Sequence, residues 1–319
     1  MKLSHDLWHR RLGHPSKSVV ESVLRLNKFA CAPPVESSVC DACQRAKVHQ
    51  LPFRDSTHVT HAPLELIHSD VWGPATTSVG GFKYCVSFLD DYSRFTWIYL
   101  LKRKSELEQI FYTFQKHVER MLNTKIKIVQ TDWGGEYHRL SKYFYREGIT
   151  HRVTCPHTSQ QNGIAEQKHC HIVETGIALL AHSFLPVKFW DEAFVTARYL
   201  INRIPTRTLK NSSPVERLLN EQPDYTFLRA FGCACWPNLR PYNNHKLAFR
   251  SRQCVFLGYS SMHKGYKCLD RSTGHIYISR DVVFDEQVFP FACTTPTPPL
   301  LLTPPSVFPR SEPVIANDR

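Results

Sequence analysis

The chain has 319 residues with 42% hydrophobic content, enough for two or three domains with cores of their own. A formal net charge of +12 and a pI near 9.2 favour a polyanionic partner over an acidic or neutral one. Eleven cysteines, an odd number scattered from Cys31 to Cys293, argue against a secreted disulfide scaffold and for reduced thiols in cytosol or nucleus. The start, Met1-Lys2-Leu3-Ser4-His5-Asp6, lacks a secretory apolar core, and no apolar run approaches membrane length, so no membrane partner is expected.

Residues 1–52 form a first unit. Four residues separate His9 from His14 and two separate Cys40 from Cys43, and the interval between the pairs leaves room for a helix and its return. Two imidazoles and two thiolates suit one structural Zn²⁺ in tetrahedral geometry. Leu12, Val19, Val20, Val23, Leu24 and Leu26 are its candidate core. A unit this small buries little, so metal would supply much of its folding free energy.

Residues 62–225 alternate strand-like and helix-like segments. A first strand closes at Asp70. Two more, 82–89 and 95–101, flank the turn Asp90-Asp91-Tyr92-Ser93-Arg94. Leu107, Ile110, Phe111, Phe114, Val118, Met121 and Leu122 repeat at helical spacing. A strand closes at Asp132, a short helix ends near Gly148, and a strand spans about 150–155. Helices of about 162–182 and 187–204 follow. Three antiparallel strands, a helix, then strand-helix-strand-helix is an α/β arrangement of ribonuclease-H-like type. That order sets Asp70 on the first strand, Asp132 after the fourth, and Glu166 on a helix packed nearby. Hard divalent cations prefer such oxygen ligands, and two of them can clamp the attacking and leaving oxygens of a phosphodiester displacement.

Residues 226–290 read as short strands and carry Lys246, Arg250, Arg252 and Arg280, a composition suited to a phosphate backbone. Residues 291–319 are Pro- and Thr-rich and read as a disordered tail. Near Glu166, Lys168, His169 and His171 are candidate phosphate contacts, with ordinary exposed charge as the alternative. Asp90 and Asp91 are better explained by their turn than as ligands. Glu136 and Glu174 read as solvated or structural, Lys102, Arg103 and Lys104 as a solvated helix start, and Trp236 and Tyr242 as barrel core or rim.

Several motifs together resemble the integrase region of copia-like LTR retrotransposon Pol polyproteins. They are Leu7-Trp8-His9-Arg10-Arg11-Leu12-Gly13-His14-Pro15 with Cys40-x-x-Cys43, Thr131-Asp132-Trp133-Gly134-Gly135-Glu136-Tyr137, Pro156-His157-Thr158-Ser159-Gln160-Gln161-Asn162-Gly163-Ile164-Ala165-Glu166, and Cys254-Val255-Phe256-Leu257-Gly258-Tyr259 with Ile278-Ser279-Arg280-Asp281. The resemblance implies a zinc-binding helical pre-integrase module, a ribonuclease-H-like DDE core and a small SH3-like β-barrel. It implies Asp70, Asp132 and Glu166 as ligands of two Mg²⁺ or Mn²⁺ ions, and trimming and joining of element DNA ends to target DNA. It further implies double-stranded DNA and further copies of the chain as partners, and a nuclear site of action with a cytoplasmic, particle-associated stage. Lys168, His169, Lys246, Arg250 and Arg252 become the candidate DNA contacts. Three departures stand out. Residues 133–165, 33 in all, separate Asp132 from Glu166, slightly fewer than usual in the family. Trp133 stands where Asn is frequent, and Gln167 and Cys170 stand where cations are usual. They leave open a second reading, a catalytically inactive nucleic-acid-binding remnant. A zinc-finger regulator is disfavoured by the Cys/His spacing, and a ribonuclease H proper by the flanking module and barrel.

Overall fold

A computed structural model describes residues 4–12, 14–29, 40, 42–43, 59–132, 134–155, 162–242, 247 and 249–292. Trp133, the 156–161 stretch, Lys246 and the tail from 293 lie outside the described residues. The chain divides into two units, 1–58 and 59–319.

In the first unit, α1 (His5–Arg11) starts at Ser4, whose Oγ accepts the Leu7 N–H at 3.2 Å. A second helix, α2 (Lys17–Leu26), buries Val20 and Leu24. Leu12, Val19 and Leu26 are exposed, which corrects the expected core. The i, i+4 pair 20/24 sets the inward stripe, and positions 19 and 26 fall outside it. The Trp8 and Phe29 rings, stacked at 5.1 Å, supply the missing apolar contact.

The second unit opens with a five-stranded sheet in the order β3-β2-β1-β4-β5. Its strands are β1 (Leu66–Trp72), β2 (Tyr84–Asp90), β3 (Thr96–Leu101), β4 (Ile128–Thr131) and β5 (Thr150–Val153). The first three are antiparallel, whereas β1–β4 and β4–β5 are parallel. This is the expected α/β arrangement. Strand alternation assigns residues to two faces. One face, with Ile67, Val86, Phe88, Trp97, Leu101 and Val129, packs on α3 (Leu107–Leu122) and α4 (Gly135–Glu147). The other, with Cys85 and Ile98, packs on α5 (Gly163–His182) and α6 (Trp190–Ile201). Gly148 ends α4 in the left-handed conformation at φ 71°. A short α7 (Pro214–Leu219) carries a capping box between Ser213 and Glu216.

A second five-stranded sheet, in the order β10-β6-β7-β8-β9, comprises β6 (Ala234–Pro237), β7 (Cys254–Tyr259), β8 (Tyr266–Leu269), β9 (Ile276–Ser279) and β10 (Val282–Asp285). All six residues of β7 are buried. Cys254 and Phe256 enter the barrel core with Cys233, Cys235 and Cys268, while Val255 and Leu257 join the cluster under α5 and α6. The barrel and the first sheet therefore share a core. Trp236 is half-buried, and Tyr242 is a rim residue whose hydroxyl donates to the Ile278 carbonyl at 2.9 Å.

Candidate functional site

β1 and β4 run parallel, with Leu66 opposite Ile128, Ile67 opposite Val129 and His68 opposite Gln130. Two residues further along that register, Asp70 comes level with Asp132, just past the end of β4. Neighbouring strands lie about 4.8 Å apart, and period-two alternation turns Asp70 to the face covered by α5, while Asp132 lies close enough to feel its charge. The sheet itself thus brings together two residues 62 positions apart in sequence.

The two carboxylates have different surroundings. Asp70 Oδ1 accepts the Val71 N–H, and its Oδ2 lies 2.9 Å from Nδ1 of His169 on α5. Burial pushes the Asp70 carboxyl up, but the His169 hydrogen bond and charge outweigh it, with help from Val71 N–H and Lys104, and hold it below its ordinary value. Asp132 is raised. Burial is the largest cause, and the charges of Asp70 and Glu136 add to it, against the Gly134 N–H and Lys104. The Gly134 N–H donates to Asp132 Oδ1 at 3.2 Å. A Cβ at Gly134 would sit 3.0 Å from both the Asp132 carboxylate and the Glu136 side chain, so a larger residue there would push these two acids slightly apart. A site that strains one carboxylate against two acidic neighbours is suited to a divalent cation.

Glu166 is half-buried on the first turn of α5, one turn before His169 and on the same helix side. Among the described residues, the set of His, Cys, Asp or Glu ligand atoms gathered within 4.8 Å of one another is His9, His14, Cys40 and Cys43. Asp70, Asp132 and Glu166 are not drawn together to that spacing. The geometry brings Asp132 close enough for its carboxylate to feel the charge of Asp70, and it joins α5 to Asp70 through His169, one turn along the helix from Glu166.

Two expectations change. His169 is not an exposed phosphate contact: it is 4% exposed and faces Asp70, because the i, i+3 step from Glu166 points it at β1. Glu136 takes the structural of its two expected roles, pairing with Lys104 Nζ at 2.7 Å and adding its charge beside Asp132. Lys104, read as part of a solvated helix start, instead pairs with Glu136 and lowers the pKa of both Asp70 and Asp132. No sequence spacing links 104 to 136, and only the return of α4 against the end of β3 does so. Asp90 and Asp91 behave as turn residues: Asp90 accepts from Leu64 N–H and from Ser93, and Asp91 pairs with His68 and Arg94.

Beside this site, a groove of about 620 Å³ runs along the outer side of α5, lined by Arg94, Gln167, Lys168, Cys170 and His171 among others. Lys168 lies in it with its ammonium pKa lowered by burial and by Arg94. Gln167 and Cys170, the two departures near Glu166, are both exposed there. On the barrel, Arg250 is exposed, but Arg252 is tied to buried Asp270 at 2.8 Å. Lys246 lies outside the described residues.

In the first unit the four ligand candidates converge. His9 Nε2 and His14 Nδ1 are 3.1 Å apart, Cys40 Sγ is 3.3 Å from His14 Nδ1, and Cys43 Sγ is 3.2 Å from His9 Nε2. Zinc bonds of about 2.0–2.3 Å at tetrahedral angles place ligand atoms roughly 3.3–3.7 Å apart, so the donor set fits. His9 Nδ1 lies 2.9 Å from the Pro15 carbonyl, the outer hydrogen bond that fixes a ligating imidazole with Nε2 toward the metal.

The sequence matches three domain families in order: the GAG-pre-integrase domain over residues 1–48, the integrase core domain over 60–159, and the retroviral polymerase SH3-like domain over 233–297. It is 46% identical over 292 residues, 91% of the chain, to the retrovirus-related Pol polyprotein from transposon RE1 of Arabidopsis thaliana. The corresponding polyprotein from transposon TNT 1-94 of Nicotiana tabacum is 38% identical over 288 residues, 89% of the chain. The chain spans about a fifth of the length of these polyproteins (20% and 22%). Among solved structures it is similar to a chain of the simian T-cell lymphotropic virus intasome, at 15% identity, TM-score 0.45, and 85% and 90% coverage of the two chains. It is also similar to the HTLV-2 integrase catalytic core domain solved with magnesium, at 16% identity, TM-score 0.37, and 49% and 97% coverage.

Proposed function

We propose that this chain, which belongs to the copia-like retrotransposon Pol polyproteins as their integrase region, is a metal-dependent DNA strand transferase that trims element ends and joins them to target DNA. The observation that carries the reading is the level placement of Asp70 on β1 and Asp132 just past the end of the adjacent parallel β4, with Glu166 on the helix whose His169 meets Asp70. Two Mg²⁺ or Mn²⁺ ions held by these carboxylates would activate the attacking hydroxyl and neutralise charge on the scissile phosphate. The protein supplies position. The β1–β4 register fixes the two aspartates, His169 orients Asp70 through Oδ2, and Lys104 holds Glu136 beside them. Lys168 and Arg94 in the groove along α5 offer cations to a DNA backbone, as exposed Arg250 does on the barrel. His9, His14, Cys40 and Cys43 hold one structural Zn²⁺ that folds the first unit.

The working division we infer is a zinc module over 1–52, a core over 62–225, a barrel over 226–290 and a tail over 291–319. Its partners are double-stranded DNA and further copies of the chain, and its place of action is the nucleus after a cytoplasmic, particle-associated stage.

The test is joining of a labelled oligonucleotide 3′-end to plasmid DNA by the purified chain with Mg²⁺ or Mn²⁺. Joining that is lost in Asp132→Ala supports the reading, and joining that persists in Asp132→Ala ends the assignment of the carboxylates. A second reading, a binding remnant without catalysis, is favoured by exposed Gln167 and Cys170 in the groove where the family carries cations. It predicts no joining by the wild type under conditions where Gln167→Arg with Cys170→Arg is active.

A further inference from the structure

Arg198 on α6 is a half-buried cation with no counter-ion among the described residues. Its Nε is shielded from solvent and has no hydrogen-bond partner, and among the described ion pairs no carboxylate is joined to it. Burial, reinforced by the nearby charge of Arg203, lowers its pKa to about 10, so it remains charged at neutral pH. Placing an uncompensated charge there costs folding free energy that a bound anion would return.

The guanidinium lines a cavity of about 620 Å³ between β3, α6 and the residues that follow β7, with Trp97, Tyr99, Tyr199, Arg203 and Ser260 among its walls. β3 is the edge strand of its sheet, two strands from β1, so this space is separate from Asp70 and Asp132. One wall is flat and fixed. The Arg203 guanidinium lies 3.5 Å from the Tyr199 ring centroid, Tyr199 stacks on Tyr259 at 4.1 Å, and Arg203 donates to the Tyr199 carbonyl at 2.9 Å. Glu221 is the acidic residue among those lining the cavity, and it is exposed. Two guanidiniums, one of them unpaired, against a rigid aromatic wall form a receptor for a negatively charged planar group. The volume is that of a small-molecule site.

We propose that this cavity binds an oxyanion, phosphate or carboxylate, carried on a flat aromatic body, with Arg198 as the ion-pair partner and the Tyr199–Arg203 stack as the surface for the ring. The site is composite, since the core supplies the cations and the barrel closes it with Tyr259 and Ser260.

The test is calorimetric titration and thermal denaturation of the full chain with three probes: a nucleoside 5′-monophosphate, benzoate and inorganic phosphate. Wild type should bind the monophosphate or benzoate more tightly than inorganic phosphate, and should melt at a higher temperature when either is bound. R198M should lose at least about tenfold in affinity while melting higher than wild type without ligand, because the orphaned charge is gone. R198K should retain part of the binding. Binding of monophosphate but not benzoate assigns phosphate as the anion, and binding of both assigns the shared oxyanion. Should R198M fail to fold, R203M must weaken the same probes. Absence of binding by wild type to all three probes, or equal affinity in wild type and the Arg198 or Arg203 variants, would overturn the proposal.

Discussion

Asp132 shows how one residue placed among like charges costs stability. Its carboxyl is raised by burial and by the charges of Asp70 and Glu136. A raised pKa in the folded state means a contribution to stability that is present below the unfolded value near pH 4 and lost as pH rises through the folded value. At neutral pH without metal, Asp132→Asn should therefore melt higher than wild type, and the difference should close as pH falls toward about 4. Mg²⁺ or Mn²⁺ should raise the melting temperature of wild type and leave that of the variant nearly unchanged. A variant that melts lower than wild type in metal-free buffer would contradict the electrostatic account. Asp270 is the opposite case. It is buried, but the Ser272 hydroxyl and N–H, Thr273 and Arg252 outweigh burial and bring its pKa down to about 2. Its contribution is present above about pH 4 and lost as pH falls through about 2. Asp270→Asn should destabilise by on the order of 2 kcal/mol at neutral pH, a gap that narrows in acid. An acid titration of chemical denaturation midpoints checks this.

At the scale of elements, α5 and α6 meet at Gly176, where a Cβ would lie 2.4 Å from the Phe194 ring. Glycine inside a helix ordinarily costs about 0.5–1 kcal/mol relative to alanine. Here the steric term decides the sign, since Phe194 is 2% exposed and packed against Trp72 and Trp190. Gly176→Ala should destabilise by about 1–3 kcal/mol, read by thermal or urea unfolding, and a stabilised variant would show that the ring can yield. In the first unit, α1 and α2 bury little beyond Val20 and Leu24. Chelation should therefore remove the helical signal of residues 1–58, and Cys40→Ser or His14→Ala should cost one equivalent of zinc per chain by metal analysis. A folded unit without zinc would refute the ligand set.

At the scale of the whole molecule, the barrel is not an appendage. Val255 and Leu257 of β7 lie in one cluster with Phe189, Trp190 and Phe194, Gly258 approaches Thr196 so closely that a Cβ there would be 2.0 Å from its hydroxyl, and Lys267 pairs with Glu192 at 2.7 Å. Removing residues 226–292 would bare the outer side of α6 to water. The truncated core should melt well below the full chain and gain a tendency to aggregate, measurable by calorimetry and light scattering. A core that melts unchanged would show that the shared cluster contributes nothing. Net charge acts at the same scale. DNA affinity should fall steeply with salt, and the slope should shrink by about one when exposed Arg250 or groove-lining Lys168 is replaced by Gln.

Much of this was legible in the chain alone. Periodicity gave the order of strands and helices, because burial of one face imposes spacings of two or about 3.6 residues wherever the segment lies. The His/Cys pairs gave the cluster of four candidate ligands, because ligand spacing on local structure is itself local, and the apolar runs before Asp70 and Asp132 marked the strands that lead to both. What the sequence could not supply was anything set by two segments meeting. The register of β1 on β4 levels the two aspartates, the packing of α5 aims His169 at Asp70 rather than at solvent, and the return of α4 seats Glu136 against Lys104. The unpaired guanidinium of Arg198 is of the same kind. Its charge is plain in the sequence, but the absence of a partner among the described residues is a fact about three-dimensional neighbours, which tertiary packing alone decides.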